Sequence, residues 1–251
     1  MKIAVAFLLL FSSEIKNFSD SKNLKDFLEL KRKLGAFYFN EPPEALYIFV
    51  CLIIHMYKKI RITENTLLVL SLFTNDFKRE YYVREVEKLL KISPRTSQLI
   101  LEDLEDKGII ESKARGKIKT YKINPSEFTK RYLVFVEQYK AIAFLEKRLM
   151  IKEIIEKITP HIKGIGIIFG SYVKGLEKKG SDLDIFIAGD YNRNEIKKVS
   201  RNLGIEISIK CYPIKTFEKN LNKDILLKEI LKNHIVFFNA EQFIEAVFKN
   251  E

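Results

Sequence analysis

The sequence predicts a small α/β domain joined through a long helix to a helix-rich unit that ends in a β-hairpin. Residues 151–251 alternate helical and extended apolar patterns, which is the signature of an α/β layer. Residues 126–150 keep a helical apolar period along their length. Residues 61–125 hold three short helical patterns, then two strand patterns flanking a basic glycine turn. Residues 1–60 precede these as an unassigned extension.

The chain has 251 residues, 47% apolar and 31% charged, a balance that excludes a mostly disordered protein. A net charge of +11 and a pI near 9.4 favour polyanionic partners such as nucleic acid, nucleotide phosphates or an anionic membrane surface. A lysine-rich surface that is merely well solvated fits the same numbers, so charge alone does not choose. Two cysteines, Cys51 and Cys211, exclude a disulfide framework and a closed cysteine zinc site, and a reducing cytoplasmic location is expected. His55, His161 and His234 show no metal-ligand spacing.

In the extension, Ile3 to Phe11 and Ala45 to Ile54 are apolar runs. A bilayer needs about 20 residues, so neither is expected to span one. Packing against a core is the first reading, and targeting the second, although no cleavage pattern follows Phe11. A translation start at Met56 is a third, since every motif lies after it. Residues 21–34 read as an amphipathic helix, with Leu24, Phe27, Leu28 and Leu34 on one face and Gly35 as its stop.

In the middle unit, Leu67, Leu68, Leu70 and Leu72 mark a first helix, and Val83, Val86, Leu89 and Leu90 a second. Ser93 is a good N-cap and Pro94 a good first residue for a third, which buries Ile100, Leu101 and Leu104 and ends at Gly108. Strands over 109–113 and 118–123 then flank Arg115-Gly116-Lys117. Ser126, after Pro125, opens the long helix, with Phe128, Leu133, Val136, Tyr139, Ala143 and Phe144 along it.

Residues 85–124 resemble a regulator-type winged helix-turn-helix domain over their whole length. The resemblance implies duplex DNA as a partner, with Arg95, Thr96, Ser97 and Gln98 reaching bases and Arg115, Lys117 and Lys119 in the wing meeting phosphates. Glu102, Asp103, Glu105 and Asp106 would then face away from DNA. Winged helices also serve as dimerisation and protein-docking modules, and a basic wing is equally at home in solvent.

The chemistry-bearing stretch begins with an apolar strand that ends in Gly170-Ser171, where a short helix is expected to start. Ten residues separate Ser171 from Asp182-Leu183-Asp184, which opens a second apolar strand. Glycine lets backbone approach a phosphate, and free N–H groups and a hydroxyl can bind it. Residues two apart in a strand share a face, so Asp182 and Asp184 project together. Two carboxylates that close repel unless a cation lies between them, and oxygen ligands beside phosphates suit Mg²⁺. A phosphate cradle beside a carboxylate pair suits phosphoryl or nucleotidyl transfer.

This arrangement resembles the nucleotidyltransferase superfamily of the DNA polymerase beta type, in its minimal branch, over about residues 150–250. The fold class expected is thus an α/β (α+β) nucleotidyltransferase domain at 151–251, preceded by a winged helix-turn-helix domain at 61–125 and a linker helix at 126–150. The resemblance implies that Gly170 and Ser171 bind the nucleotide and that Asp182 and Asp184 bind Mg²⁺. Catalysing members carry a third carboxylate on a later strand, here residues 205–210. Glu206 is the candidate third catalytic and metal ligand. The equivalent position falling instead at Ser208 would remove that base, and Lys210 shares their face. Lys174 is a candidate phosphate contact, or else a solvated helix residue.

Two function classes follow. One is Mg²⁺-dependent transfer of a nucleoside monophosphate, expected to be AMP, from ATP or another NTP to a hydroxyl of a protein or other acceptor. The minimal branch includes antitoxins that adenylylate a partner protein. The other is a DNA-binding regulator or antitoxin-like protein whose nucleotidyltransferase fold senses nucleotide without catalysis. A pairing module, a homodimer included, is a third and uses the long helix and the extension.

Overall fold

The three helices expected in the middle unit form, and the first and third start at side-chain caps. In the computed structural model, which describes residues 62–116 and 118–249, α1 spans Glu64–Asn75, α2 Val83–Leu90 and α3 Pro94–Asp106. Thr63 and Ser93 each accept the N–H of the residue three on, at the starts of α1 and α3. Leu101 and Leu104 of α3 are fully buried, and Ile100 is half-buried. The hairpin forms as β2 (Ile110–Arg115) and β3 (Ile118–Ile123), antiparallel. An unforeseen two-residue strand, β1 (Tyr81–Tyr82), pairs with the other edge of β3 and completes a sheet of order β1-β3-β2. The extension, its apolar runs and its amphipathic pattern, and Lys117 of the wing lie outside the described residues.

The long helix α4 runs Glu127–Glu146, capped by Ser126. It stops short of residue 150, and a separate helix α5 (Leu149–Ile158) follows. Arg148 causes the break. Its backbone leaves the helical region, which lets its guanidinium lie 4.4 Å over the Phe144 ring and reach the Tyr172 carbonyl at 3.4 Å and the Glu177 carboxylate at 3.2 Å.

Beyond a short 3₁₀ turn come β4 (Ile162–Ile168), the one-turn α6 (Ser171–Lys174), β5 (Leu183–Tyr191), α7 (Arg193–Leu203), β6 (Ile207–Tyr212), α8 (Ile214–Asn220), α9 (Ile225–Lys232), β7 (Ile235–Phe238) and α10 (Ala240–Phe248). The strands form a mixed sheet of order β6-β5-β4-β7, parallel between β5 and β6 and antiparallel elsewhere.

The two faces of this sheet bury different layers. Leu183, Ile185 and Ile187 of β5 pack with Ile151, Ile154 and Ile158 of α5 and Ile196 of α7. Phe186 and Ala188 face the opposite way, towards Phe217 and Phe243. That second core is continuous with Leu133 and Val136 of α4 and with Leu70, Leu101 and Leu104 of the first three helices. Residues 62–249 therefore share one core across positions 125 and 150, and α4 is the element both ends pack on.

A buried charge cluster crosses the same junction. Lys140 Nζ donates to Glu137 Oε1 at 2.9 Å, and lies 3.3 Å from each of Thr74 Oγ1, Asn75 Oδ1 and His234 Nε2. His234 Nε2 is also 3.3 Å from Glu137 Oε2, and its Nδ1 is 2.8 Å from the Leu231 carbonyl. Glu137 and the His234 ring are wholly buried. Burial opposes Glu137 ionisation, but Lys140 and then His234 outweigh it and hold the carboxyl down at about 2.

Candidate active site

The site is assembled from the C-terminal end of β4, the turn after it, and the starts of β5 and β6. Phe169 N–H donates to the Asp184 carbonyl at 3.1 Å, which fixes the turn against β5. Gly170 follows with φ +78° and ψ −147°, a conformation essentially reserved for glycine. A Cβ there would lie 2.2 Å from Asp184 Oδ2, so the Asp184 carboxylate rests directly on the Gly170 backbone. Ser171 starts α6, half-buried.

Two residues that sequence reasoning gave no role hold this turn in place. The Tyr172 hydroxyl donates to the Ser181 carbonyl at 3.2 Å, tying α6 to the residue before Asp182. Arg148 donates to the Tyr172 carbonyl from the far side. Ser181 Oγ in turn accepts the Lys178 N–H at 2.8 Å, closing the loop. A tyrosine after Gly-Ser is a local signal; that Arg148 reaches it is a tertiary fact with none.

Asp182 is exposed just before β5, and Asp184 is half-buried inside it. Burial raises the Asp184 pKa, the Asp182 charge raises it further, and the Ser208 hydroxyl and the Lys210 ammonium partly offset both.

The parallel register of β5 and β6 places Ser208 directly beside Asp184. Ser208 and Lys210 both lie near enough to the Asp184 carboxylate to lower its pKa. Glu206 lies before β6 begins, exposed, with its carbonyl accepting the Leu183 N–H at 2.8 Å. Among the described residues no three His, Cys, Asp or Glu side chains gather as a metal cluster. By the register, the side chain opposite Asp184 belongs to position 208.

The donor set still suits Mg²⁺, which is commonly held by one or two carboxylates and completed by substrate phosphates and water. Lys174, at the end of α6, is exposed and donates to Glu229 Oε1 of α9 at 2.7 Å, which holds the Glu229 carboxyl below its ordinary range.

The residues expected to meet DNA are arranged unevenly. Arg95 is exposed, and Thr96 and Gln98 are half-buried, with Gln98 donating to Glu102 at 2.8 Å. Ser97 is fully buried, and its hydroxyl donates to the Ser93 carbonyl at 3.1 Å, so it packs the start of α3. Arg115 pairs with Glu80 at 3.0 Å and Lys119 with Glu105 at 2.6 Å, both partly exposed.

Residues 150–243 match the protein-family model described as Polymerase beta, Nucleotidyltransferase. The matched span contains the whole mixed sheet and every residue of the Gly170–Asp184 site. The C-terminal part of the chain is therefore similar to nucleotidyltransferases of that family. No curated protein matches the chain. One solved structure, described as that of TrmBL2, an archaeal chromatin protein with a novel mode of DNA binding, is similar at 13% identity over 70% of this chain and 72% of that one. Its TM-score of 0.24 is too low to bear on the fold. Among the described residues no helix is long and apolar enough to cross a membrane.

Proposed function

We propose that the domain transfers a nucleoside monophosphate, AMP foremost, from ATP or another NTP to a hydroxyl in a Mg²⁺-dependent reaction. The observation that carries this is the Asp182–Asp184 pair held against the Gly170–Ser171 turn, with Asp184 lying on glycine backbone. The turn offers Ser171 to a phosphate, and the two aspartates hold the magnesium. When bound, Mg²⁺ neutralises the pair and polarises the phosphate. The acceptor is a protein hydroxyl or another alcohol.

One observation favours a second reading. Ser208 stands opposite Asp184, where a third carboxylate would act as base, and Lys210 adds positive charge beside it. A site so built retains nucleotide binding while transferring slowly or not at all, which makes it a nucleotide sensor.

For residues 64–123 we propose a winged helix-turn-helix that binds duplex DNA. Support comes from three helices, two of them capped by Thr63 and Ser93, followed by a hairpin with Arg115 and Lys119 near its tip. Their ion pairs are exposed and worth little, so phosphates can replace the carboxylates.

The test is to incubate the full chain with ATP labelled at the α-phosphate, Mg²⁺ and cell lysate. The Asp182→Ala/Asp184→Ala variant serves as control. Transfer lost in the variant supports the enzyme. No transfer, but saturable Mg²⁺-dependent ATP binding that the variant loses, selects the sensor. Label or binding equal in both proteins ends both readings. Duplex affinity that falls with salt at a slope of several charges supports the DNA module; a flat dependence overturns it.

A further inference from the structure

Helix α4 is apolar on two sides, and only one of them faces its own core. Leu133, Val136 and Phe144 are buried within the unit. On the opposite side Phe128, Phe135 and Ile142 are 51%, 45% and 57% exposed. These three are spaced by seven, and the exposed Arg131 and Gln138 and the half-buried Leu145 fall three residues after each. Because Arg131 and Gln138 are polar, the exposed apolar seam is one residue wide every two turns, a narrower stripe than a helix needs to cover its own core. Leu149 and Met150, just past the end of α4, are 75% and 55% exposed.

We infer that this seam pairs with the same seam of a second copy of the chain, in antiparallel orientation. Charge decides both the partner and the direction. Arg131 and Glu146 are exposed, and neither takes an ion pair within the described residues. An antiparallel pairing centred between Gln138 and Tyr139 puts Phe135 opposite Ile142, and Arg131 beside Glu146 of the other copy. The surface is therefore complementary to itself, as a two-fold interface must be. In a parallel pairing Arg131 would meet Arg131 across the seam, and the charges would repel. A 20-residue helix is about 30 Å long, so this contact is small and the dimer dissociates in the micromolar range.

Sedimentation of the full chain at increasing concentration tests this. The expected species at tens of micromolar is a dimer of 29.5 kDa chains. Phe135→Glu/Ile142→Glu is expected to leave a monomer with unchanged circular dichroism and melting temperature, because both positions are exposed. Arg131→Glu is expected to weaken the dimer at least tenfold, and Arg131→Glu/Glu146→Arg to restore it. A chain that stays monomeric at those concentrations overturns the inference. So does a dimer that survives Phe135→Glu/Ile142→Glu, which would place the contact elsewhere, residues 1–61 included. A double reversal that fails to restore the dimer overturns the antiparallel orientation.

Discussion

The Glu137–Lys140–His234 cluster and the Asp182–Asp184 pair lie in the same unit, and each sets carboxylate charge in a partly or wholly desolvated place. Their environments push in opposite directions. Glu137 is fully buried, yet its carboxyl is held down at about 2, because Lys140 and His234 surround it. Asp184 is only half-buried, yet its carboxyl is raised, because that burial and then the Asp182 charge oppose its ionisation, and Ser208 and Lys210 only partly compensate. The first cluster draws its counter-charge from within the fold. The second is left short of positive charge, which is what a site does when a cation arrives with its substrate. Burial alone thus does not separate a structural charge from a functional one; what matters is whether the fold itself supplies the counter-charge.

Breaking the balanced cluster should have the largest effect. Glu137→Gln leaves Lys140 buried without its carboxylate, and removing one partner of a buried pair costs about 3–5 kcal/mol. Denaturant unfolding should show a loss of that order. Because Glu137 and Lys140 sit on α4, His234 precedes β7 and Asn75 ends α1, the loss should appear in both ends of the unit together. A variant that melts only the mixed sheet would show that the shared core does not couple them.

The same carboxylate predicts a pH limb. Glu137 is held at about 2 in the fold against an ordinary value of 4.5. On acidification the unfolded chain takes up the proton first. The stability this group contributes is therefore complete above about pH 4.5 and drains as pH falls towards 2. The gap in unfolding free energy between the wild-type chain and Glu137→Gln should narrow over that interval. A constant gap would mean that the cluster stabilises by packing rather than by charge.

The unbalanced pair can be sharpened by adding to it. Ser208→Asp sets a third carboxylate beside Asp184, where it adds like-charge repulsion. In chelator the variant should melt below the wild-type chain, and Mg²⁺ should recover more of its stability than it adds to the wild type. A gain of nucleotidyl transfer in the variant would identify position 208 as the missing base. A variant indifferent to Mg²⁺ would show that the pair does not bind the ion.

How much of this was legible in the sequence depends on distance along the chain. Caps at Ser93 and Ser126, and the Gly170–Ser171 and Asp182–Asp184 motif, are local patterns, and they stand where the spacing puts them. Strand β1 could not be read, because two residues form a strand only when β3 offers its edge. The end of α4 at Glu146 depends on Arg148 reaching a carbonyl 24 positions away. His234 joins Lys140 across 94 positions, so no spacing announces it. The sequence could not choose between Glu206 and Ser208 because period two puts both on one face; that Ser208 is the register partner of Asp184 is a tertiary fact no spacing announces.

Lys174 is the smallest perturbation, and it probes the rim of the open site. Its ammonium meets Glu229 at 2.7 Å, with both side chains substantially exposed, so the pair is screened and exchanges readily with solvent. Lys174→Ala should leave the melting temperature unchanged within error. Its effect belongs on nucleotide binding. Lys174 lies one turn from Ser171, and when released from Glu229 it is a mobile cation beside the phosphate turn. Lys174→Ala should then weaken ATP binding severalfold, and Glu229→Gln, which frees the same lysine, should strengthen it. Opposite shifts from two variants of equal stability would place the lysine in the site. If neither variant moves ATP affinity, the Lys174–Glu229 pair is solvated surface, and charge compensation at the open cluster comes from Lys210 and the metal alone.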